Sequence, residues 1–207
     1  MSRIQPLDPE KAQGKTQELL AAIKAKSHSP SKGSRVNGTS PGNLDSEEKG
    51  GQGKSGRVSN ILKTMAHSPA ALQAYLGLSG AFADAKLPLK VREQIALAVG
   101  EDNQCHYCVA AHSAIGKHAG LTPEEIEGGR RARSPNPKTD AILKFAQRLS
   151  ANRGNITDAA WAEVRKAGCS DEEVLEIITA VSLNLFTNYV NHVADTAIDF
   201  PQVPPLS

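Results

Sequence analysis

Apolar residues recur along this chain at three- and four-residue intervals, a rhythm that predicts helices. Ala12, Leu19, Leu20 and Ile23 mark a first helix over 9–26, and Asp8 before Pro9 is a favourable start. The pattern then stops. Residues 27–55 are nearly all Ser, Gly, Lys, Asn, Pro and Glu, with only Val36 and Leu44 to bury. Such a stretch cannot offset its ordering entropy, so it is expected to be a disordered low-complexity insertion. Periodicity resumes over 58–65 and again over 68–82, where Ser68-Pro69 is a cap followed by proline in the first turn. Leu72, Leu76 and the run from Ser79 to Ala83 form the apolar stripe there. Further helices are expected over about 88–100, over about 103–118 with Gly120 as terminator, and from Thr122. Others follow over 137–151, 157–167 and from Ser170, whose spacing to Glu173 is that of a capping box. Trp161 is expected in the core. No segment alternates with period two, so the fold class is all-α.

Sliding the chain against itself by 80 residues places Glu93 on Glu173, Ile95 on Leu175, Leu97 on Ile177, Cys108 on Asn188 and His112 on His192. The coincidences suggest a degenerate internal duplication within a helical core spanning 56–207. A first copy, about 58–120, keeps the cysteines, and a second, about 121–198, has lost them, Cys105 falling opposite Leu185. Amphipathic helices share a period by default, which accounts for part of any such match. His192 is expected to bond structurally or to line the site.

At 207 residues the chain can bury a proper core without staples. Its formal charge of only +2 gives no field for nucleic acid or an anionic lipid surface. Arg130, Arg131 and Arg133 beside Gly128 and Gly129 accordingly read as a solvated loop. The first residues lack the apolar centre of a signal peptide, and no run approaches the roughly 18 apolar residues of a membrane span. A soluble, cytoplasmic protein is expected. Of three cysteines, two form a Cys-x-x-Cys, which in a reducing compartment points to redox catalysis or metal binding.

Read as helix, the segment from Gln104 to His112 brings the Cα atoms of Cys105 and Cys108 to about 5 Å, inside the range a disulfide spans. Helical side chains lean toward the N-terminus, so His112 falls back over the Cys108 sulfur. Cys108 is thus the thiol with a base beside it, and both cysteines occupy opening turns whose free N–H groups favour a thiolate. Glu93 lies about as far before the inter-helix turn as His112 lies after it, which in a helix hairpin sets the two side by side. It also sits among Leu89, Ala96 and Leu97, where an unpaired carboxylate is costly. A proton relay from Glu93 through His112 to Cys108 follows. Zinc wants four ligands; Cys105, Cys108 and His112 give three, with Glu93 or His106 as fourths, and one continuous helix does not supply the usual knuckle. No metal is therefore expected. An inert buried pair is the remaining alternative, and Cys169, with no histidine or second cysteine nearby, is of that kind.

Glu93, eleven intervening residues, then Cys105-x-x-Cys108-x-x-x-His112 resembles the signature of the carboxymuconolactone decarboxylase and AhpD-like alkylhydroperoxidase superfamily. The segments RIQPLDPEKA, SNILKTMAHSPAAL and NYVNHVADTAIDFP resemble a peroxidase-related branch of it. The resemblance implies an AhpD-like helical fold and a homo-oligomer (dimer, trimer or hexamer). It also implies reduction of a small hydroperoxide at the cost of an external dithiol, with no cofactor. By position, Cys108 is the peroxidatic sulfur, Cys105 the proton donor and resolving thiol, and His112 with Glu93 the relay. Two departures stand out: Tyr107 replaces a histidine before the second cysteine, with a histidine at position 106 instead, and the insertion stands where the family would run directly from the first helix into a Gly-x-Val-Pro-Asn segment, whose proline is also replaced, by Ser59. A non-catalytic redox- or zinc-responsive module, and a decarboxylase-like lyase, are the competing functions.

Overall fold

The computed structural model describes residues 2–26 and 57–206, so the expected insertion at 27–55 lies outside the described residues. Among the described residues all regular structure is helical. The helices are α1 (Gly14–Lys26), α2 (Asn60–Met65), α3 (Pro69–Phe82), α4 (Leu89–Asp102), α5 (His106–His118), α6 (Pro123–Arg130), α7 (Pro137–Ala151), α8 (Asp158–Lys166) and α9 (Asp171–Ala194). The expected helix over 9–26 is broken. Pro9–Lys11 is a single 3-10 turn capped by Asp8, Ala12 is extended and buried, and α1 starts only at Gly14, whose φ of +56° suits glycine.

Caps set most other starts. The side chains of Ser68, Asn136 and Thr157 each accept a backbone N–H in the first turn of α3, α7 and α8. Thr122 with Glu125, and Ser170 with Glu173, form reciprocal capping boxes at α6 and α9. The α3 stripe is narrower than expected, since Leu72 and Tyr75 are buried but Gly80 and Ala81 are exposed.

Helix α4 is the central element: every residue from Glu93 to Gly100 is buried, and the helix packs on α5, α6, α7 and α9. On one side Ile95 and Val99 join Leu143, Ala146, Val164 and Ile177. On the other, Leu20, Leu62 and Leu72 from α1–α3 surround Cys105 and Cys108. Close approach of α6 needs Gly129, because a Cβ there would stand 3.3 Å from Gln94 Cα. Two expectations fail here. Arg130 is not solvated: it is buried, pairs through Nε with Glu101 Oε2 at 2.8 Å, and donates to the Pro204 carbonyl, tying down the C-terminal tail. Trp161 is not core either. The buried face of α8 is Ala160 and Val164, and Trp161, one position on, is 45% exposed with the Arg165 guanidinium 5.5 Å from its ring centroid.

A candidate redox site at the head of helix five

The α4–α5 turn places the cysteines. Cys105 N donates to Gly100 O at 2.8 Å and Gln104 N to Glu101 O at 2.9 Å, a Schellman closure with Gln104 left-handed at φ 55°. Helix α4 therefore runs past Gly100 to Asp102, and α5 begins at His106, three residues later than the sequence pattern indicates. Gly100 is a point of close approach instead, since a Cβ there would meet Cys108 Cβ at 3.4 Å. Cys105 is the N-cap residue of α5 and Cys108 lies in its first turn. The two form a disulfide with Cα atoms 5.2 Å apart, as the spacing predicts, and both are almost wholly buried.

Glu93 and His112 meet across the α4–α5 hairpin, with His112 Nδ1 2.8 Å from Glu93 Oε2. Both line one cleft with Cys108; with Nδ1 engaged, Nε2 is the ring nitrogen that can exchange a proton with the cleft. Phe82, Leu89, Ala96 and Leu183 give the cleft an apolar wall, and its volume is about 70 Å³, room for a small molecule only. Tyr75 also faces it. Burial, and then the nearby Glu93 carboxylate, push that phenol well above its ordinary pKa despite a hydrogen bond to Ser79, so it stays a protonated donor. Cys105 and His106 do not line the cleft, and His106 is exposed. Among the described residues, no group of three His, Cys, Asp or Glu side chains is placed to hold a metal ion.

Helix α9 closes the sulfur side of the site. Asn188 Nδ2 donates to Cys108 Sγ at 3.1 Å, and Asn191 Nδ2 to the same sulfur at 3.3 Å. His192, expected to bond structurally or to line the site, is exposed and is not among the residues of the cleft, while Asn188 and Asn191 are buried. Their i, i+3 spacing puts both on one face, a signal available in the segment NYVNHVADTAIDFP.

Tyr107 has a separate task. Its hydroxyl donates to Asp199 Oδ1 at 2.8 Å and accepts from Ile61 N, while Asp199 Oδ2 accepts from Asn60 N at the head of α2. The ring packs edge-on against Phe200. Burial first, and then Asp199, raise the Tyr107 pKa, keeping it a donor. The residue immediately before Cys108 thus fastens α5 to the tail and to α2. Tyr107→Phe, which strands a buried carboxylate oxygen, should cost about 1–2 kcal/mol of stability in urea unfolding without removing the dithiol.

Residues 69–151 match the model of the carboxymuconolactone decarboxylase family. No curated protein matches the chain in sequence. Among solved structures, it is similar to a peroxidase-related protein with an alkylhydroperoxidase AhpD core from Ralstonia eutropha JMP134. That match has TM-score 0.73 and 20% identity, covering 96% of this chain and 92% of that one. A peroxidase-related protein from Silicibacter sp. TM1040 matches at TM-score 0.62 and 24% identity, over 68% of this chain and 76% of that one. The debrominase Bmp8, solved in complex with 2,3,4-tribromopyrrole, matches at TM-score 0.63 and 22% identity, over 69% and 78%.

Proposed function

We propose that this protein is a dithiol oxidoreductase that reduces small hydroperoxides; the match of residues 69–151 to the carboxymuconolactone decarboxylase family model and the AhpD-like fold around them support the reading. The observation that carries the reading is the Cys105–Cys108 disulfide lying against a cleft that also holds the Glu93–His112 pair. In the reduced protein the Cys108 thiolate attacks the hydroxyl oxygen of ROOH. The S–O bond forms as the O–O bond breaks, and His112 protonates the departing alkoxide to ROH. Cys105 sulfur then attacks the Cys108 sulfenic acid; the S–S bond forms, the S–O bond breaks, and hydroxide leaves as water with the Cys105 proton. An external dithiol returns two electrons and two protons, becoming a disulfide. No cofactor enters this sequence.

Thiol counting before and after one equivalent of hydrogen peroxide, with metal analysis of the same sample, tests it. Two thiols should be lost per chain, and catalytic consumption should follow when dithiothreitol is supplied. One cycle without turnover would favour a redox-responsive module, and stoichiometric zinc with protected thiols would favour a zinc-holding one.

The homo-oligomer implied by the resemblance has a candidate face in the outer side of α9, where Leu175, Tyr189 and Val193 are each more than 60% exposed. Paired Leu175→Glu and Val193→Glu substitutions should lower the mass seen by light scattering to that of one chain. A parent protein that is already monomeric would remove the idea.

A further inference from the structure

We infer that Asn188 and Asn191 form a donor cradle that makes Cys108 the thiolate of the reduced pair, with Asn103 as the residue that orients it. The inference rests on the dithiol reading above. It does not depend on which oxidant the protein meets.

The orientation of Asn188 is fixed by a chain of bonds. Asn103 Nδ2 donates to Val99 O at 3.0 Å, and a carbonyl can only accept, so this amide nitrogen is assigned by the backbone. The second hydrogen of the same Nδ2 goes to Asn188 Oδ1 at 3.0 Å, the shorter of its two remaining contacts, Ser150 Oγ standing at 3.2 Å. Asn188 must then present its own Nδ2 to the other side, where Cys108 Sγ stands at 3.1 Å. Asn188 is fully buried, so neither amide end has an alternative in water.

Asn191 adds a second donor and an asymmetry. Its Nδ2 is 3.3 Å from Cys108 Sγ but 4.0 Å from Cys105 Sγ. Its Oδ1 is buried and has no hydrogen-bond partner among the described residues. A disulfide sulfur is a weak acceptor, so two buried amides and an orphaned carbonyl are a poor investment around the oxidised pair alone. Reduction changes that. A Cys108 thiolate receives two charge-assisted hydrogen bonds at a site with little water, in addition to the N–H groups of the first turn of α5. Cys105, further from Asn191 Nδ2 at 4.0 Å and given no bond by Asn188, receives no such support. The cradle therefore splits the two cysteines, lowering the pKa of Cys108 and leaving Cys105 protonated. Because it stabilises the reduced form, it also makes the disulfide easier for an external dithiol to reduce.

The test reads ionisation and redox equilibrium, not turnover, so a protein inactive on peroxides still answers it. Differential alkylation of the reduced full chain with iodoacetamide, followed by mass spectrometry, gives a pH profile for each cysteine; equilibration with dithiothreitol gives the disulfide equilibrium. In the parent, Cys108 should ionise at lower pH than Cys105. Asn188→Leu should move the Cys108 profile up by roughly one pH unit, leave Cys105 in place, and shift the equilibrium about tenfold toward the disulfide, or about 30 mV more negative. Asn188→Asp keeps the shape and the bond from Asn103 but turns an oxygen on the sulfur, and should shift Cys108 further; it serves if the leucine variant does not fold. Asn103→Ser should give a smaller shift of the same sign. Cys108 and the disulfide equilibrium unmoved in the folded Asn188 variants, or Cys105 proving the more acidic thiol, would overturn the cradle.

Discussion

Cys108→Ser should abolish peroxide consumption by the reduced protein, whereas Cys105→Ser should consume one equivalent and stop. The difference comes from position rather than residue type. Cys108 faces the cleft, lies in the first turn of α5, and receives the Asn188 and Asn191 amides. Cys105, at the N-cap, is 1% exposed and is not part of the cleft wall. A serine hydroxyl at 108 does not ionise near neutrality and cannot take up the oxygen. A serine at 105 leaves the attacking sulfur intact but removes the partner that would release water from its sulfenic acid, so the oxidised form accumulates. Dimedone labelling with mass spectrometry decides between the two sulfurs. Label on Cys108 in Cys105→Ser is the expected result; label on Cys105 in Cys108→Ser, with none on Cys108 in the converse variant, would reverse the roles.

Local chemistry made most of the fold legible. Ser68 and Ser170 are caps in sequence and caps in the structure, and Thr122 and Thr157, read only as helix starts, are N-caps as well, because a short hydroxyl side chain and the orphan N–H groups of one turn are all the device requires. Glu93 was legible for a similar reason: a carboxylate among Leu89, Ala96 and Leu97 needs a partner, and His112 is the partner found. What escaped depends on tertiary packing. No glycine announces the left-handed residue between α4 and α5, since Gln104 takes that conformation, so the periodic pattern runs on and α5 is read three residues long. Trp161 carries the apolar size of a core residue, but the buried line on α8 passes through Ala160 and Val164, and Trp161, about a hundred degrees round the helix from Ala160, lies outside it.

Asn188 and Asn191 show the same limit at the site. Asparagine has no fixed meaning in a helix, and the sulfur it serves lies on another element, with a sequence separation of 80 between Asn188 and Cys108. The self-comparison of the chain aligned those two positions without indicating that they touch. For His192, on the same helix, the sequence leaves a structural hydrogen bond or a place in the site wall. The helical period points the other way: Asn188 and Asn191 share the inward face, and His192, one residue further on, turns to solvent.

Glu93→Gln and His112→Gln should each slow peroxide reduction by about two orders of magnitude, within the range a positioned acid or base contributes, and the double variant should be little slower than either. The geometry behind this is the 2.8 Å contact between Glu93 Oε2 and His112 Nδ1, which holds the imidazole in one tautomer and directs Nε2 to the cleft. Glutamine at 93 keeps the volume and an amide able to bond the ring, so the fold should lose little; it cannot carry the negative charge that stabilises a protonated imidazole. Glutamine at 112 removes the proton carrier itself. Groups that act as one unit lose their function once, whichever member is removed, so the coupling free energy in the double-mutant cycle should be nearly as large as either single loss. The measurement is the single-turnover rate of reduced protein with hydrogen peroxide, across the neutral pH range, in the parent and the three variants, with urea unfolding as the control for stability. Losses that simply multiply, or a Glu93→Gln protein that reacts like the parent at every pH, would separate the two side chains and leave Glu93 as a structural partner of His112.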